Sequence, residues 1–318
     1  MIDLIIPAYN AHSTIGYALA SVATQLDHDL VKVTIVDDCS DEPYDCFVEQ
    51  FKSLIDIQVV RLNNNGGPGV ARQHGIDITS QPYLTFMDAD DVFINVMALR
   101  KLRAPLDADE NVYLVSAGFY EESETGRVVE HQRDLVWTFG KMYRREYLQR
   151  RGIGFNTTRA NEDTGFHTKL MATATATDLI QFIPDFVYMW RFRESSITRE
   201  NDGEYGYNKG FVGYIINKLE ALTMPNASPQ FVYEHALQTL TECFRTFVNV
   251  MAYRPEFKDT VLEYSIRFWK ECARPYYYRD AEYTNKVILT ALLQKPLRAI
   301  PTVTLSWFIQ LLERDVHN

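Results

Sequence analysis

The chain has 318 residues, of which 46% are apolar and 23% charged; this suffices to bury the core of one large domain plus an appendage and argues against a disordered chain. Its net charge of −10 is unevenly placed: residues 205–318 hold 13 Lys and Arg against 11 Asp and Glu, leaving 19 against 31 in residues 1–204. An acidic N-terminal region argues against a general binder of phosphate backbones and suits a site whose carboxylates hold a metal. Aromatic residues reach 13%, enough either to fill a core or to supply stacking platforms for sugars and bases.

The four cysteines, Cys39, Cys46, Cys243 and Cys272, form no CxxC pair and no zinc spacing. Reduced thiols in a cytoplasmic protein are therefore expected. The apolar run at 2–6 is too short and too acidic for a signal peptide. No stretch of about 20 apolar residues occurs, so no membrane-spanning helix is expected.

The first 90 residues alternate strands and helices. Strands are expected at 2–7, 31–36, 57–62 and 83–87. Helices are expected at 13–25, with Ser13 as N-cap, and at 44–54 and 70–78, with an Asn- and Gly-rich turn at 63–69. This alternation predicts parallel βαβ units with ligand sites at the carboxyl ends of the strands. Residues 112–192 are less regular, with strands at 112–119 and 186–192 and helices at 144–150 and 162–174. Past the boundary signal at 201–203 the pattern is helical, with Phe231, Leu237, Leu240, Phe244, Phe247 and Met251 near three-and-four spacing. Two domains are expected, 1–204 and 205–318.

Three segments carry chemistry. Phe86-Met87-Asp88-Ala89-Asp90-Asp91 crowds acids at a strand end; carboxylates this close repel one another unless a cation is present, and Mg²⁺ or Mn²⁺ prefers oxygen ligands. Val36-Asp37-Asp38-Cys39-Ser40-Asp41 ends another strand, where a carboxylate can accept the imide N–H of uracil; a turn and helix cap would look the same. The glycines between Asn64 and Gly75 permit close backbone approach to a ligand and place Arg72 one turn into a helix.

Taken in order, Ile5-Ile6-Pro7-Ala8-Tyr9-Asn10, the 36–41 segment, Gly67…Ala71-Arg72…Gly75, Asp88-Ala89-Asp90-Asp91, Gly140-Lys141-Met142-Tyr143-Arg144-Arg145 and Gly152-Ile153-Gly154-Phe155 followed by Asn161-Glu162-Asp163 resemble family 2 glycosyltransferases of the GT-A fold. The resemblance covers about the first 200 residues. It implies an α/β fold, Rossmann-like, with a mostly parallel sheet and helices on both faces, followed here by an α-helical C-terminal region. It implies an inverting, metal-assisted transfer from a nucleotide-diphosphate sugar, with a UDP-sugar the expected donor. Pro7, Tyr9, Asp38, Gly67, Arg72 and Asp88 would bind the nucleotide, Tyr9 by stacking on uracil. Asp90 and Asp88 would hold Mn²⁺ or Mg²⁺, with Asp91 in support. Asp163 would be the catalytic base, kept ionised by the start of its helix. Trp137, Lys141 and Glu162 would lie near the sugar or acceptor. The family's Tyr-Arg-x-His-x-x-Ser pattern reads Tyr188…Arg191-Phe192-Arg193…Ser196 here, so Arg191, Arg193 and Ser196 would face the diphosphate. Arg193 replaces a His that can ligate the metal, which puts a third protein ligand in doubt.

Two other readings stay open at this stage: another nucleotide-diphosphate enzyme such as a sugar nucleotidyltransferase, or a catalytically silent carbohydrate-binding relative. The lack of Lys or Arg between Pro7 and Lys32 counts against the first, and intact Asp88, Asp90 and Asp163 against the second. The acceptor is a glycan, wall polymer, protein or modified nucleic acid. In the helical region, Arg267-Phe268-Trp269-Lys270 and Arg274-Pro275-Tyr276-Tyr277-Tyr278-Arg279 interleave basic and aromatic residues, which suits acceptor recognition; packing between helices, or a homo-oligomer through these helices, is the alternative.

Overall fold

The computed structural model describes residues 1–193, 204–294 and 304–314. Ser196 and the 201–203 boundary signal lie outside the described residues. The N-terminal half runs β1 (Ile2–Ala8), α1 (Ile15–Ala23), β2 (Val31–Asp37), α2 (Asp45–Phe51), β3 (Asp56–Arg61), α3 (Pro68–Ile78) and β4 (Tyr83–Phe86). These strands stand in the order β3-β2-β1-β4, all parallel. β1 is buried almost throughout, and so reads as a continuous apolar run rather than an alternation. Helix α1 starts later than expected. Its cap position is Thr14, not Ser13, and carries no side-chain cap bond; the Thr14 hydroxyl instead donates to Ala11 O at 3.1 Å and closes a turn ahead of the helix.

The rest of this half comprises β5 (Val92–Phe93), α4 (Ala98–Ala108), β6 (Val112–Glu122), β7 (Val128–His131), β8 (Lys141–Arg144), α5 (Arg145–Arg151), α6 (Glu162–Thr173) and β9 (Leu179–Trp190). The sheet continues β4-β8-β6-β9-β5, with β8 antiparallel to β4 and β6, β9 parallel to β6, and β7 paired on β6. The α/β class expected from the sequence is the one observed. Helix α4 escaped the sequence reading because Pro105 lies inside it. The helix forms nonetheless, since Leu99, Leu102 and Leu106 line one buried face.

Helix α3 packs on β1 through Gly75, where an added Cβ would sit 2.5 Å from Ile5 Cγ2. Gly75→Ala is expected to overpack this contact and destabilise the fold by about 1–3 kcal/mol. A thermal melt superimposable on wild type would show that α3 can lift off Ile5 at no cost.

The described residues group into two compact units, Met1–Asp163 with Thr175–Arg199, and Thr164–Ala174 with Glu200–Asn318. The division is thus not one cut at 204/205, because most of α6 belongs with the second unit. There Lys218 Nζ donates to Thr168 Oγ1 at 3.0 Å and Ser228 N to Ala172 O at 2.7 Å. The second unit continues with a wide helical turn (Glu204–Phe211), α7 (Val212–Leu222), α8 (Pro229–Tyr253), α9 (Lys258–Phe268), α10 (Arg274–Arg279), α11 (Ala281–Gln294) and α12 (Leu305–Arg314). It has its own core around Phe244, Phe247, Phe268, Trp269 and Phe308. Trp269 is fully buried with its indole N–H on Glu313, so it is a core ring and not a stacking platform. Tyr278 and Tyr283 stay half exposed. Among the described residues no helix is long and apolar enough to cross a membrane.

Candidate active site

The parallel strands β1, β2 and β4 end side by side, and each hands its chain to one of the acidic or polar segments read from the sequence. After β1, Asn10 adopts φ +48 and is tied to the loop after β2: its N–H donates to Ser40 Oγ at 3.0 Å, and its side chain bonds Asp41 in both directions. This leaves the Tyr9 ring half exposed beside the end of β1, available for stacking. Pro7, within β1, aligns with Val36 of β2.

Asp38 is buried, and each of its carboxylate oxygens accepts a backbone N–H at 2.7 Å, one from Gly66 and the other from Gly67. Burial raises its carboxyl above the ordinary range, and the two glycine bonds work against that rise. The carboxylate thereby fixes the glycine loop, and its remaining lone pairs can still accept a base N–H. Gly67, at φ +91, caps α3 and holds a conformation that side chains disfavour.

Arg72 is the hub of the site. Nη2 donates to Asp88 at 2.7 Å, while Nη1 donates to Glu162 and to Asp163, each at 2.9 Å. The guanidinium is buried and lies over the Phe155 ring at 5.8 Å. The resemblance implied that Arg72 faces the nucleotide; in the structure it joins Asp88 to Glu162 and Asp163 from the start of α6.

Within the acidic run the three carboxylates differ. Asp91 is fully buried; it accepts from the Tyr188 hydroxyl at 2.8 Å and from Arg191 N at 2.8 Å, while Asp88 N donates to the same hydroxyl at 3.0 Å. Asp91 therefore pins the turn to β9. Asp88 and Asp90 are only partly covered, with Arg193 at 3.6 Å from Asp90. Burial raises the Asp90 carboxyl, and Asp88 raises it further; Asp91 is pushed up by burial and by both neighbours. Two hard-oxygen donors that penalise each other's charge fit a divalent cation. Among the described residues no three His, Cys, Asp or Glu side chains converge as a metal site, so these two carboxylates would need further ligands from a bound diphosphate.

Asp163 is buried and accepts from Thr138 Oγ1 at 3.5 Å besides Arg72. Burial pushes its carboxyl up to about 7 against the pull of Arg72, with Glu162 and Asp88 adding to the rise. Desolvation outweighs the helix start that was expected to keep it ionised. Trp137 is half buried and stacks on Phe139 at 5.8 Å. Lys141, which the resemblance implied would lie near the sugar or acceptor, has no exposed surface. The Arg191 guanidinium lies over the Tyr17 ring at 5.3 Å. His167 is buried edge-to-face against Phe166 in the second unit. Sequence reasoning named Tyr188 in the 188–196 pattern but gave it no role, and missed Thr138 and Arg159, which holds Asn65 of the glycine loop through two bonds of 2.7 Å. Isolated residues of these types carry no local signal.

A model of glycosyl transferase family 2 matches residues 3–162, and the chain belongs to that family. It is 24% identical over 223 residues to the uncharacterized glycosyltransferase EpsJ of Bacillus subtilis, covering 62% of this chain and 63% of EpsJ. It is 32% identical over 107 residues to the poly(ribitol-phosphate) beta-N-acetylglucosaminyltransferase TarS of Staphylococcus aureus, covering 33% of this chain and 18% of TarS. The chain thus spans less than two thirds of either relative. In structure it resembles S. aureus TarS 1-349 in complex with UDP-GlcNAc, with a TM-score of 0.69 at 20% identity, covering 92% of this chain and 84% of that one. It also resembles mannosyltransferase PcManGT from Pyrobaculum calidifontis in complex with GDP-Man and Mn²⁺, with a TM-score of 0.52 at 16% identity, covering 99% and 86%. These likenesses fix the fold.

Proposed function

We propose that the chain is an inverting glycosyltransferase that moves a sugar from a UDP-sugar to an acceptor hydroxyl in one displacement. The observation that carries this reading is the Asp88–Arg72–Glu162/Asp163 bridge, which joins the acids at the end of β4 to a buried carboxylate able to act as base. Tyr9 stacks on the uracil, Asp38 accepts its N3–H, and Arg193, released from Asp90, meets the diphosphate together with Arg191. The acceptor O–H bond breaks and its proton passes to Asp163. The freed electron pair bonds the anomeric carbon from the face opposite UDP, which departs with the electrons of the old bond. Asp88 and Asp90 would hold Mn²⁺ or Mg²⁺, which offsets the charge gained by the leaving diphosphate.

The name of TarS, a poly(ribitol-phosphate) beta-N-acetylglucosaminyltransferase, supports a polymer as acceptor. An open pocket in the helical unit, lined by Gln230, Tyr233, Arg279, Asp280 and Tyr283, offers aromatic and charged groups for recognising it. Four unpaired thiols suit a reducing cytoplasm.

The test is UDP release from UDP-GlcNAc and other UDP-sugars with Mn²⁺; none from any UDP-sugar, with or without acceptor, would sink the reading. In Asp90→Asn, half-maximal activity is expected to need more than about tenfold more Mn²⁺, since even outer-shell groups cost that much. A Mn²⁺ titration matching wild type would remove Asp90 from the metal role.

A further inference from the structure

Asp38, which accepts the uracil N3–H in the proposed reaction, is itself held by two backbone N–H bonds of 2.7 Å. The first comes from Gly66, whose N–H shares a peptide unit with the carbonyl of Asn65. That carbonyl accepts from Arg159 Nη2 at 2.7 Å, and Nη1 donates to Asn65 Oδ1 at the same distance. One trans peptide therefore carries the guanidinium at its carbonyl edge and the Asp38 carboxylate at its N–H edge. A cation bonded to a carbonyl polarises the peptide and strengthens the bond that its N–H donates. The Arg159 stem also runs along the loop, for a Cβ added to Gly67 would stand 3.5 Å from Arg159 Cγ.

Arg159 is held where it can do this. Its segment is fastened to α3 on both sides: Phe155 N donates to Gln73 Oε1 at 2.8 Å, and Glu162 and Asp163 both accept from Arg72. Arg159 is exposed, so its two bonds add little to the stability of the fold, while fixing both arms of the fork costs a long side chain its rotamer freedom. Their effect is local: they set the turn at 65–67, and with it the direction of the Asp38 carboxylate. Burial raises the Asp38 carboxyl, and the two glycine bonds and the charge of Arg159 oppose that rise.

We propose that Arg159 is a positioning residue for the donor's base: by gripping Asn65 it sets the Asn65–Gly66 peptide, whose N–H aims the Asp38 carboxylate at the imide N–H of uracil. Arg159 acts through that peptide and not on the nucleotide itself. This rests on the reading of Asp38 as the acceptor of the N3–H. The segment that leads into Asp163 thereby becomes a determinant of nucleotide choice, because a carboxylate fixed in this way accepts from the N3–H of uracil and repels the N3 lone pair of cytosine.

The experiment compares wild type, Arg159→Ala and Arg159→Lys as full chains. Calorimetric titration with Mn²⁺ measures the affinity for UDP and for N3-methyl-UDP, which lacks the imide N–H. UDP release from the UDP-sugar turned over fastest gives KM and kcat. Arg159→Ala is expected to bind UDP about tenfold more weakly than wild type but N3-methyl-UDP within about twofold, so that the preference between them shrinks. KM for the UDP-sugar should rise about tenfold, with kcat within about twofold. Arg159→Lys should regain about threefold of the lost UDP affinity, since an ammonium can hold one Asn65 oxygen but lacks the fork. An equal loss for both nucleotides would mark a general loosening of the site; that result, an unchanged preference, or failure of both variants to fold would overturn the proposal. If wild type binds N3-methyl-UDP as tightly as UDP, the reading of Asp38 fails instead, and if it binds neither, the UDP-sugar reading fails.

Discussion

Replacing Asp163 with Asn is expected to lower kcat for transfer by about 10²- to 10⁴-fold, the range of general-base contributions. Donor affinity should stay within about twofold, because a base acts on the acceptor's proton in the transition state and adds little to ground-state binding of the UDP-sugar. The single amide oxygen of Asn can still accept the Arg72 bond, while its NH2 faces Thr138 and can donate to that hydroxyl, so the side chain stays in place. In wild type, kcat/KM should fall on the acid side with a midpoint near the value of about 7 to which burial pushes the carboxyl. The same shift fixes the sign of its effect on stability. The unfolded carboxyl ionises near 3.8 while the folded one keeps its proton up to about 7, so the folded state binds more protons between those values. Stability contributed by this group is therefore lost as pH rises through that window. Steady-state kinetics with calorimetric donor titration check the first claim; high residual turnover with collapsed donor binding would reassign Asp163 to the donor site.

Arg72→Met is expected to produce the largest loss of stability, about 3–5 kcal/mol, because it leaves Asp88, Glu162 and Asp163 without the cation that binds all three. Arg72→Lys should rescue only part of this, since an ammonium lacks the planar fork that reaches two sides at once. Turnover should fall further than UDP affinity, as a tie between the acids at the end of β4 and the base predicts. A nucleotide contact would give the reverse, with UDP affinity lost first. Thermal unfolding and UDP titration of the two variants separate these outcomes. An unchanged melting temperature in Arg72→Met would mean that the three carboxylates find other partners.

The four parallel strands β1 to β4, the helices between them and the positions of Asp38, Asp88, Asp90 and Asp163 along the chain were legible in the sequence because each depends on a local rule. Apolar β-branched runs make the parallel strands, Asp, Asn and Gly mark their ends, and Glu162-Asp163 opens a helix. Two early misreadings were local as well: Ser13 was passed over because the Thr14 turn precedes α1, and Pro105 concealed a helix whose leucines pack well. What the carboxylates do, however, was decided by pairings across the chain. Arg72 meets Glu162 and Asp163 from 90 and 91 positions away, and no pattern near Arg72 announces that contact. Asp88, Asp90 and Asp91 look equivalent in the sequence; Tyr188, 97 positions on from Asp91, makes Asp91 a pin and leaves the other two for a ligand. No strand was expected at Lys141, yet β8 is inserted there between β4 and β6, and that sheet order buries Lys141 completely. Local rules set where a charge sits along the chain, whereas its solvation and its counter-charges depend on which strands become neighbours, and that is settled only when the sheet closes.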